Sequence, residues 1–381
     1  MDSLVSGHCD ERFAAVADAF AANLQSGADL GASVAVTYKD ELVVDLYGGH
    51  LDEEQTERWQ ADTLVNVYST TKTMSFLCML ILADRGELDF SATVATYWPE
   101  FAANGKQAVT VEHLMNHAAG LSGMDEPVTS EDVYDWDKIT TLLAAQAPWW
   151  KPGSAPGYHA LTQGFLLGEV LRRITGETMG TFFAREVADK LGAEFYIGVP
   201  DAALPRVAHL IPPRDTRLGA AAEAAGAEGI AARTFANPRG NAKDSWTLPW
   251  KKAEIPAANG HSNARGVAQI HSVLANFGES KGVRILSEET ARKVMIPRLE
   301  GDDQVLQMPV RYSLGFCLPP GADIDRRLCF WGGWGGSNAV IDQQNQLSMS
   351  YVMNRMHDGL MGDERGLSLS GAILGSMQAL R

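Results

Sequence analysis

Apolar positions recur with a helical period near the start of the chain, where Phe13, Val16, Phe20 and Leu24 fall on one stripe, so a helix is expected over 9–25. Two apolar runs follow, Ala32 to Tyr38 and Leu42 to Gly49, joined by the polar turn Lys39-Asp40-Glu41. They read as an antiparallel hairpin. Next comes the stretch the chain is organised around. Tyr68-Ser69-Thr70-Thr71-Lys72-Thr73-Met74 is polar and runs directly into the apolar Ser75 to Leu82, which stops at Ala83-Asp84-Arg85-Gly86. This predicts a mostly buried helix with a polar first turn, ended by a Gly.

The middle of the chain reads as helical, with helices expected over 109–117, 132–146, 161–175, 179–191, 265–277 and 288–295. Residues 200–256 carry little regular signal, and a loop region this long reads as a cover over a pocket. Strands return at 312–318, 328–331, 338–341 and 347–353, and a helix over 367–380 closes the chain. Strands at both ends with helices between predict an α+β fold, in which the first hairpin joins the C-terminal strands in one antiparallel sheet. The expected division is an α/β domain from 1–86 and 262–381, interrupted by a mostly helical domain over 87–261.

Ser69 and Lys72 are three residues apart and share a face of the predicted helix. The first turn of a helix has free N–H groups and a partial positive charge. A Ser there has a basic neighbour to take its proton, and its own N–H is free to hold an oxyanion, which are two requirements of acyl transfer. A Ser/Thr-rich helix start with a snorkelling Lys satisfies the same pattern, so the rest of the chain has to decide. Tyr158 follows Ala147 to Gly157, whose three prolines and two glycines forbid a helix and deliver the phenol on a rigid loop. A phenol beside a Lys can relay protons, the cation lowering the phenol and desolvation lowering the amine. Gly332-Gly333-Trp334-Gly335-Gly336 follows a predicted strand, where glycines let the backbone approach a ligand.

Other candidates carry less. His113 and His117 stand four apart but lack the carboxylate of a metal-binding helix, and a structural role is expected. Ser262 and Ser337 sit in near-matches to G-x-S-x-G, without the strand-to-helix elbow that motif needs. Composition narrows the partners. The 381 residues carry a formal net charge of −15, which argues against nucleic acid or an anionic membrane surface. No apolar stretch is long enough to span a bilayer, and the first ten residues show no secretory pattern. Cys9, Cys78, Cys317 and Cys329 are scattered, as expected of reduced thiols in a cytoplasmic protein.

Ser69-Thr70-Thr71-Lys72, Pro152-Gly153 ahead of Tyr158, Trp331-Gly332-Gly333 and the segment Val111 to Leu121 together resemble the serine β-lactamase and penicillin-binding-protein superfamily. The match is similar above all to its class C-related esterase branch, the family VIII carboxylesterases. The resemblance implies a β-lactamase/transpeptidase-like fold and an acyl-enzyme on Ser69. It implies Lys72 and Tyr158 as a shared general base, and backbone N–H groups of Ser69 and Trp334 as the oxyanion hole, with no metal or cofactor. Two departures from the β-lactamases point to esters. Trp331-Gly332-Gly333 replaces Lys-Thr-Gly, and Ala160 replaces an Asn two residues after the tyrosine. Losing a cation and an amide removes contacts to a β-lactam, while an indole offers an apolar wall to which Trp149 and Trp150 add. The expectation is a serine carboxylesterase for small or short-acyl esters, with a β-lactamase, a D-alanyl-D-alanine peptidase or an acyltransferase as alternatives and a non-catalytic binding homologue behind them.

Overall fold

The computed structural model describes residues 4–213, 228–320 and 327–380. Six strands form the main antiparallel sheet: β1 (Val5–Cys9), β2 (Gly31–Tyr38), β3 (Glu41–Gly49), β4 (Leu328–Gly332), β5 (Asn338–Asp342) and β6 (Leu347–Met353), in the order β1-β3-β2-β6-β5-β4. The N-terminal hairpin therefore does join the C-terminal strands, through β2 against β6 with Val34 opposite Tyr351. Strands β2 and β6 are buried almost throughout, as a sheet covered on both faces requires. Side chains of a strand alternate between faces, and β6 shows where each face goes. Ser348 Oγ donates to Ala268 O in helix α5 (Ala264–Ala275), while Met349 beside it meets Ser370 of helix α6 (Glu364–Ala379). Helix α1 (Ala14–Gln25) packs along α6 on that second face.

Between β3 and β4 the chain is mostly helical. Helix α2 (Lys72–Asp84) is buried at every residue from Lys72 to Leu82 and packs against α4 (Thr162–Thr175) and the short helix Met179–Phe183. Helix α3 (Trp136–Ala145) lies against α4. One continuous buried core runs from Phe13 through Phe165 to Met377, so the segments on either side of residues 86 and 262 share it. A small sheet, Val65–Asn66, Gly260–Ser262 and Phe195–Ile197, has its middle strand between the other two. It fixes the backbone on both sides of the candidate site: Val67 N donates to Gly260 O, and Gly260 N donates to Thr71 Oγ1.

Several elements differ from the sequence expectation. The start of the expected 9–25 helix is not helical: Cys9 ends strand β1 and Glu11–Phe13 is a 3-10 turn. β1 is an edge strand whose middle residues are exposed, so it lacks the apolar alternation that marks a strand. The expected strand 312–318 ends at Tyr312. Its regular part is Pro309–Tyr312, paired with Leu299–Asp302, because Gly315 (φ +93°) turns the chain tightly over the ring of Phe76. The helix expected over 109–117 spans only Val111–Met115, and that over 179–191 is interrupted by a π-turn at Ala184–Ala188. The 200–256 region contains the helices Ile230–Ala236 and Leu248–Lys252 and two 3-10 turns; residues 214–227 of that expected cover lie outside the described residues.

Candidate active site

Ser69 lies in a 3-10 turn (Tyr68–Thr71) that leads directly into α2. Tyr68 has φ +41°, a conformation a bulky residue holds only when its surroundings enforce it. Here its ring packs against Trp334 at 5.0 Å and Trp250 at 6.0 Å, and its hydroxyl donates to Ala242 O at 3.4 Å. The Leu248–Lys252 helix, which carries Trp250, thus props the turn that presents Ser69.

Lys72 and Tyr158 converge on that serine. Tyr158 Oη donates to Ser69 Oγ at 2.5 Å, and Lys72 Nζ lies 3.1 Å from Ser69 Oγ and 3.0 Å from Tyr158 Oη. Lys72 Nζ also donates to two backbone carbonyls, Ala160 O at 2.7 Å and Ala257 O at 2.9 Å. Lys72 and Tyr158 are each about 1% exposed. Burial, with no carboxylate bonded to the amine, holds Lys72 well below the ordinary lysine range. Burial pushes Tyr158 up, and its bond to Ser69 offsets only part of that rise. The expected lowering of the phenol by a lysine cation is therefore not found. A buried lysine that sheds its proton leaves no cation to do the lowering. Burial thus disfavours charge on both the amine and the phenol. In its neutral form the amine has two hydrogens, which the two carbonyls take, and one lone pair facing the hydroxyls; with the Tyr158 hydrogen on Ser69 Oγ, the Ser69 hydroxyl is the one placed to donate to it. Ser69 is thus connected to a proton acceptor either directly or through Tyr158.

The loop carrying Tyr158 is held from behind. Gly157 N donates to His117 O, His159 N donates to His117 Nδ1, and Tyr158 N donates to Asp303 Oδ1 at 2.9 Å. Asp303 is buried and also accepts from Val305 N, Leu306 N and the Tyr312 hydroxyl. His117 stacks on Trp331 with ring centroids 5.4 Å apart, and burial keeps it well below the ordinary imidazole range. His113 turns its Nδ1 to the Thr110 N–H in a capping box. Both histidines thus spend Nδ1 on the backbone. Sequence reading singled out neither His117 nor Asp303 as a support for Tyr158. His117 was marked in the sequence only as a member of the His113/His117 pair and of the Val111 to Leu121 segment.

The glycine stretch passes over the serine. A Cβ on Gly333 would lie 2.2 Å from Val67 O and 3.2 Å from Ser69 N, so only glycine fits there. Ser337, the near-match to a nucleophile motif, is buried and donates to Val67 O, tying the stretch to the serine turn. Ser262 is equally buried and donates to Glu194 O. Within 333–336, Gly333 N, Gly335 N and Gly336 N donate to Ser337 O, Gly359 O and Gly333 O. Among the described residues the N–H groups of Trp334 and Ser69 have no such partner. One belongs to the serine itself and the other to the residue after Gly333, which adjoins the serine turn.

The remaining expected residues are spread out. Trp331 is about 1% exposed and backs Tyr158 with ring centroids 6.1 Å apart. Gly332 abuts Met361 and Gly362. Trp150 packs on His159 and bonds Ala155 O. Trp149 is capped by the Arg233 guanidinium at 3.9 Å and donates to Asp125. The two adjacent tryptophans therefore have separate surroundings.

An antiparallel sheet between helix layers, with a Ser-Lys turn at its edge and a tyrosine delivered from a helical insertion, is the β-lactamase/transpeptidase-like fold. Residues 16–371 match the Beta-lactamase family, and the chain belongs to that family. It is 35% identical over 380 residues to the Esterase/beta-lactamase LipL of Mycobacterium tuberculosis (strain ATCC 25618 / H37Rv), covering 95% of this chain and 86% of that protein. Among solved structures it is similar to a family VIII carboxylesterase, with 40% identity, a TM-score of 0.90 and coverage of 98% of this chain and 99% of the other. A penicillin-binding protein homologue from Caulobacter crescentus aligns with 37% identity, a TM-score of 0.88, and 98% and 100% coverage. No helix of the described residues is long and apolar enough to cross a membrane.

Proposed function

We propose that this chain is a serine carboxylesterase that cleaves small or short-acyl esters through an acyl-enzyme on Ser69. The observation that carries the reading is the triangle of Ser69 Oγ, Lys72 Nζ and Tyr158 Oη, in which burial disfavours the charged form of the amine. In acylation Ser69 Oγ attacks the ester carbonyl while its proton passes to Lys72, directly or through Tyr158. The N–H groups of Ser69 and Trp334 receive the developing oxyanion. The proton held on Lys72 and Tyr158 then goes to the departing alkoxide. In deacylation water gives a proton to Tyr158 Oη as it attacks the acyl carbon while Tyr158 passes its own proton to Lys72, and the reverse relay returns a proton to Ser69 Oγ as the acyl bond breaks. Esters rather than lactams are favoured by Ala160 and Trp331, which place no amide or cation where a β-lactamase grips its substrate. The names of LipL and of the family VIII relative fit the same reading. The four free cysteines, three of them buried, suit a reducing compartment such as the cytoplasm.

The test is to assay wild type and Ser69→Ala on a series of p-nitrophenyl esters and on a chromogenic cephalosporin. Ester turnover by wild type that is lost in Ser69→Ala is expected. Turnover that survives the substitution would remove Ser69 as nucleophile, and efficient cephalosporin cleavage with little ester cleavage would turn the reading toward a β-lactamase.

A further inference from the structure

The glycine turn that carries Trp334 is pinned by a buried ion cluster. Arg365, in the first turn of α6, is 6% exposed, and every one of its five N–H groups is engaged. Nε donates to Asp363. Nη1 donates to Asp29 Oδ1 at 2.9 Å and Arg355 O at 2.8 Å, and Nη2 donates to Asp363 Oδ2 at 2.6 Å and Gly335 O at 2.8 Å. Asp29, just ahead of β2, also accepts from the Tyr351 hydroxyl in β6 at 2.5 Å. The cluster presses on the turn itself: a Cβ on Gly336 would lie 2.3 Å from Asp363 Oδ2 and 2.7 Å from Arg365 Nη2.

Gly335 and Gly336 have φ of +100° and +125°, so these two positions carry no side chains to restrict the turn; it is held from outside by Gly335 N donating to Gly359 O and by His357 N and Arg365 Nη2, which both donate to Gly335 O. A buried ion cluster contributes little net stability over an apolar filling of the same volume. An apolar filling, however, could not donate to Gly335 O. We propose that Arg365, held by Asp29 and Asp363, is a positioning residue that aims the Trp334 N–H at the developing oxyanion by fixing the Gly335 carbonyl one residue further on. The inference rests on the reading of Trp334 as an oxyanion donor. It also means that this guanidinium is committed to the turn and is not a free cation for substrate.

The experiment compares p-nitrophenyl acetate with O-(p-nitrophenyl) thionoacetate, which share a leaving group but develop O⁻ and S⁻ respectively. Sulfur accepts hydrogen bonds weakly, so an aligned oxyanion hole favours the oxoester. In Arg365→Lys the oxoester-to-thionoester ratio of kcat/KM is expected to fall by about 10- to 100-fold from wild type, with the oxoester KM within about threefold. Gly336→Ala, which pushes on the same contact from the turn side, is expected to lower the ratio in the same way, and it reads the turn if Arg365→Lys does not fold. Variants that lose activity on both esters equally, or that keep the wild-type ratio, would overturn the clamp alone. A wild type with no preference for the oxoester would overturn the oxyanion assignment and the clamp with it.

Discussion

Two regions of this protein bury a lysine amine against backbone carbonyls, and only one of them forms a site. Lys106 is fully buried and donates to Ala103 O, Ala144 O and Gln146 O. Two of those carbonyls, Ala144 and Gln146, lie at the C-terminal end of α3, where a helix favours a cation, and Ala103 caps the 3-10 turn Pro99–Ala102. Burial pulls Lys106 down to about 8, yet its three carbonyls match the three hydrogens of an ammonium. Lys72 has two carbonyls and two hydroxyls instead. Burial holds it well below the ordinary lysine range, and the lone pair of its neutral form has a hydroxyl to receive from. Burial depresses both amines; what distinguishes a base from a helix cap is the nature of the third and fourth neighbours.

That contrast can be broken most sharply at Lys72. Lys72→Met is expected to lower kcat/KM on a p-nitrophenyl ester by about 10³-fold or more, since it removes the proton acceptor. Residual activity within about tenfold of wild type would put the base elsewhere.

A smaller effect comes from pH. Below the depressed pKa of Lys72 the amine gains a third hydrogen and loses its lone pair, so kcat/KM should fall by about tenfold per pH unit on the acid side. Because burial disfavours the ammonium, that limb is expected well below the ordinary lysine value of about 10.4. A rate that keeps rising until about pH 10 would show an ordinary, charged Lys72.

The smallest effect on activity is expected at the other amine. Lys106→Met should leave kcat/KM within about twofold of wild type but cost about 2 kcal/mol of stability, because three carbonyls lose their donor. Thermal or urea unfolding measures the stability, and a large loss of kcat/KM in the folded variant would show that burial, not the hydroxyl neighbours, is what matters.

The sequence shows these regions unequally, for physical reasons. Ser69 and Lys72 are three residues apart on one helical start, so local periodicity alone places them on one face. Tyr158 lies 86 residues beyond Lys72; the rigid loop and the proton-relay chemistry made it a candidate and the family resemblance paired it with Lys72, while the 3.0 Å contact depends on how α2 and the proline-rich loop pack. Asp303 and Arg365 carry no signal of their roles in the sequence. Their partners, Tyr158 N and Gly335 O, are backbone atoms that leave no trace in a side-chain pattern. The joining of the first hairpin to the C-terminal strands was legible because strands gather at both ends of the chain. The edge strand β1 was not, because its exposed residues carry no apolar alternation.

The most direct test of the central claim, that Ser69 is the nucleophile activated by a neutral Lys72, is active-site titration of the wild-type protein with a p-nitrophenyl alkylphosphonate. This reagent mimics the tetrahedral intermediate and is not readily hydrolysed once attached. Release of one equivalent of p-nitrophenol per chain is predicted, with the phosphonyl group mapped by mass spectrometry to Ser69 and with labelling abolished in Lys72→Met. A label on Ser262, Ser337 or any other residue, or an active enzyme that takes up no label at all, would contradict it.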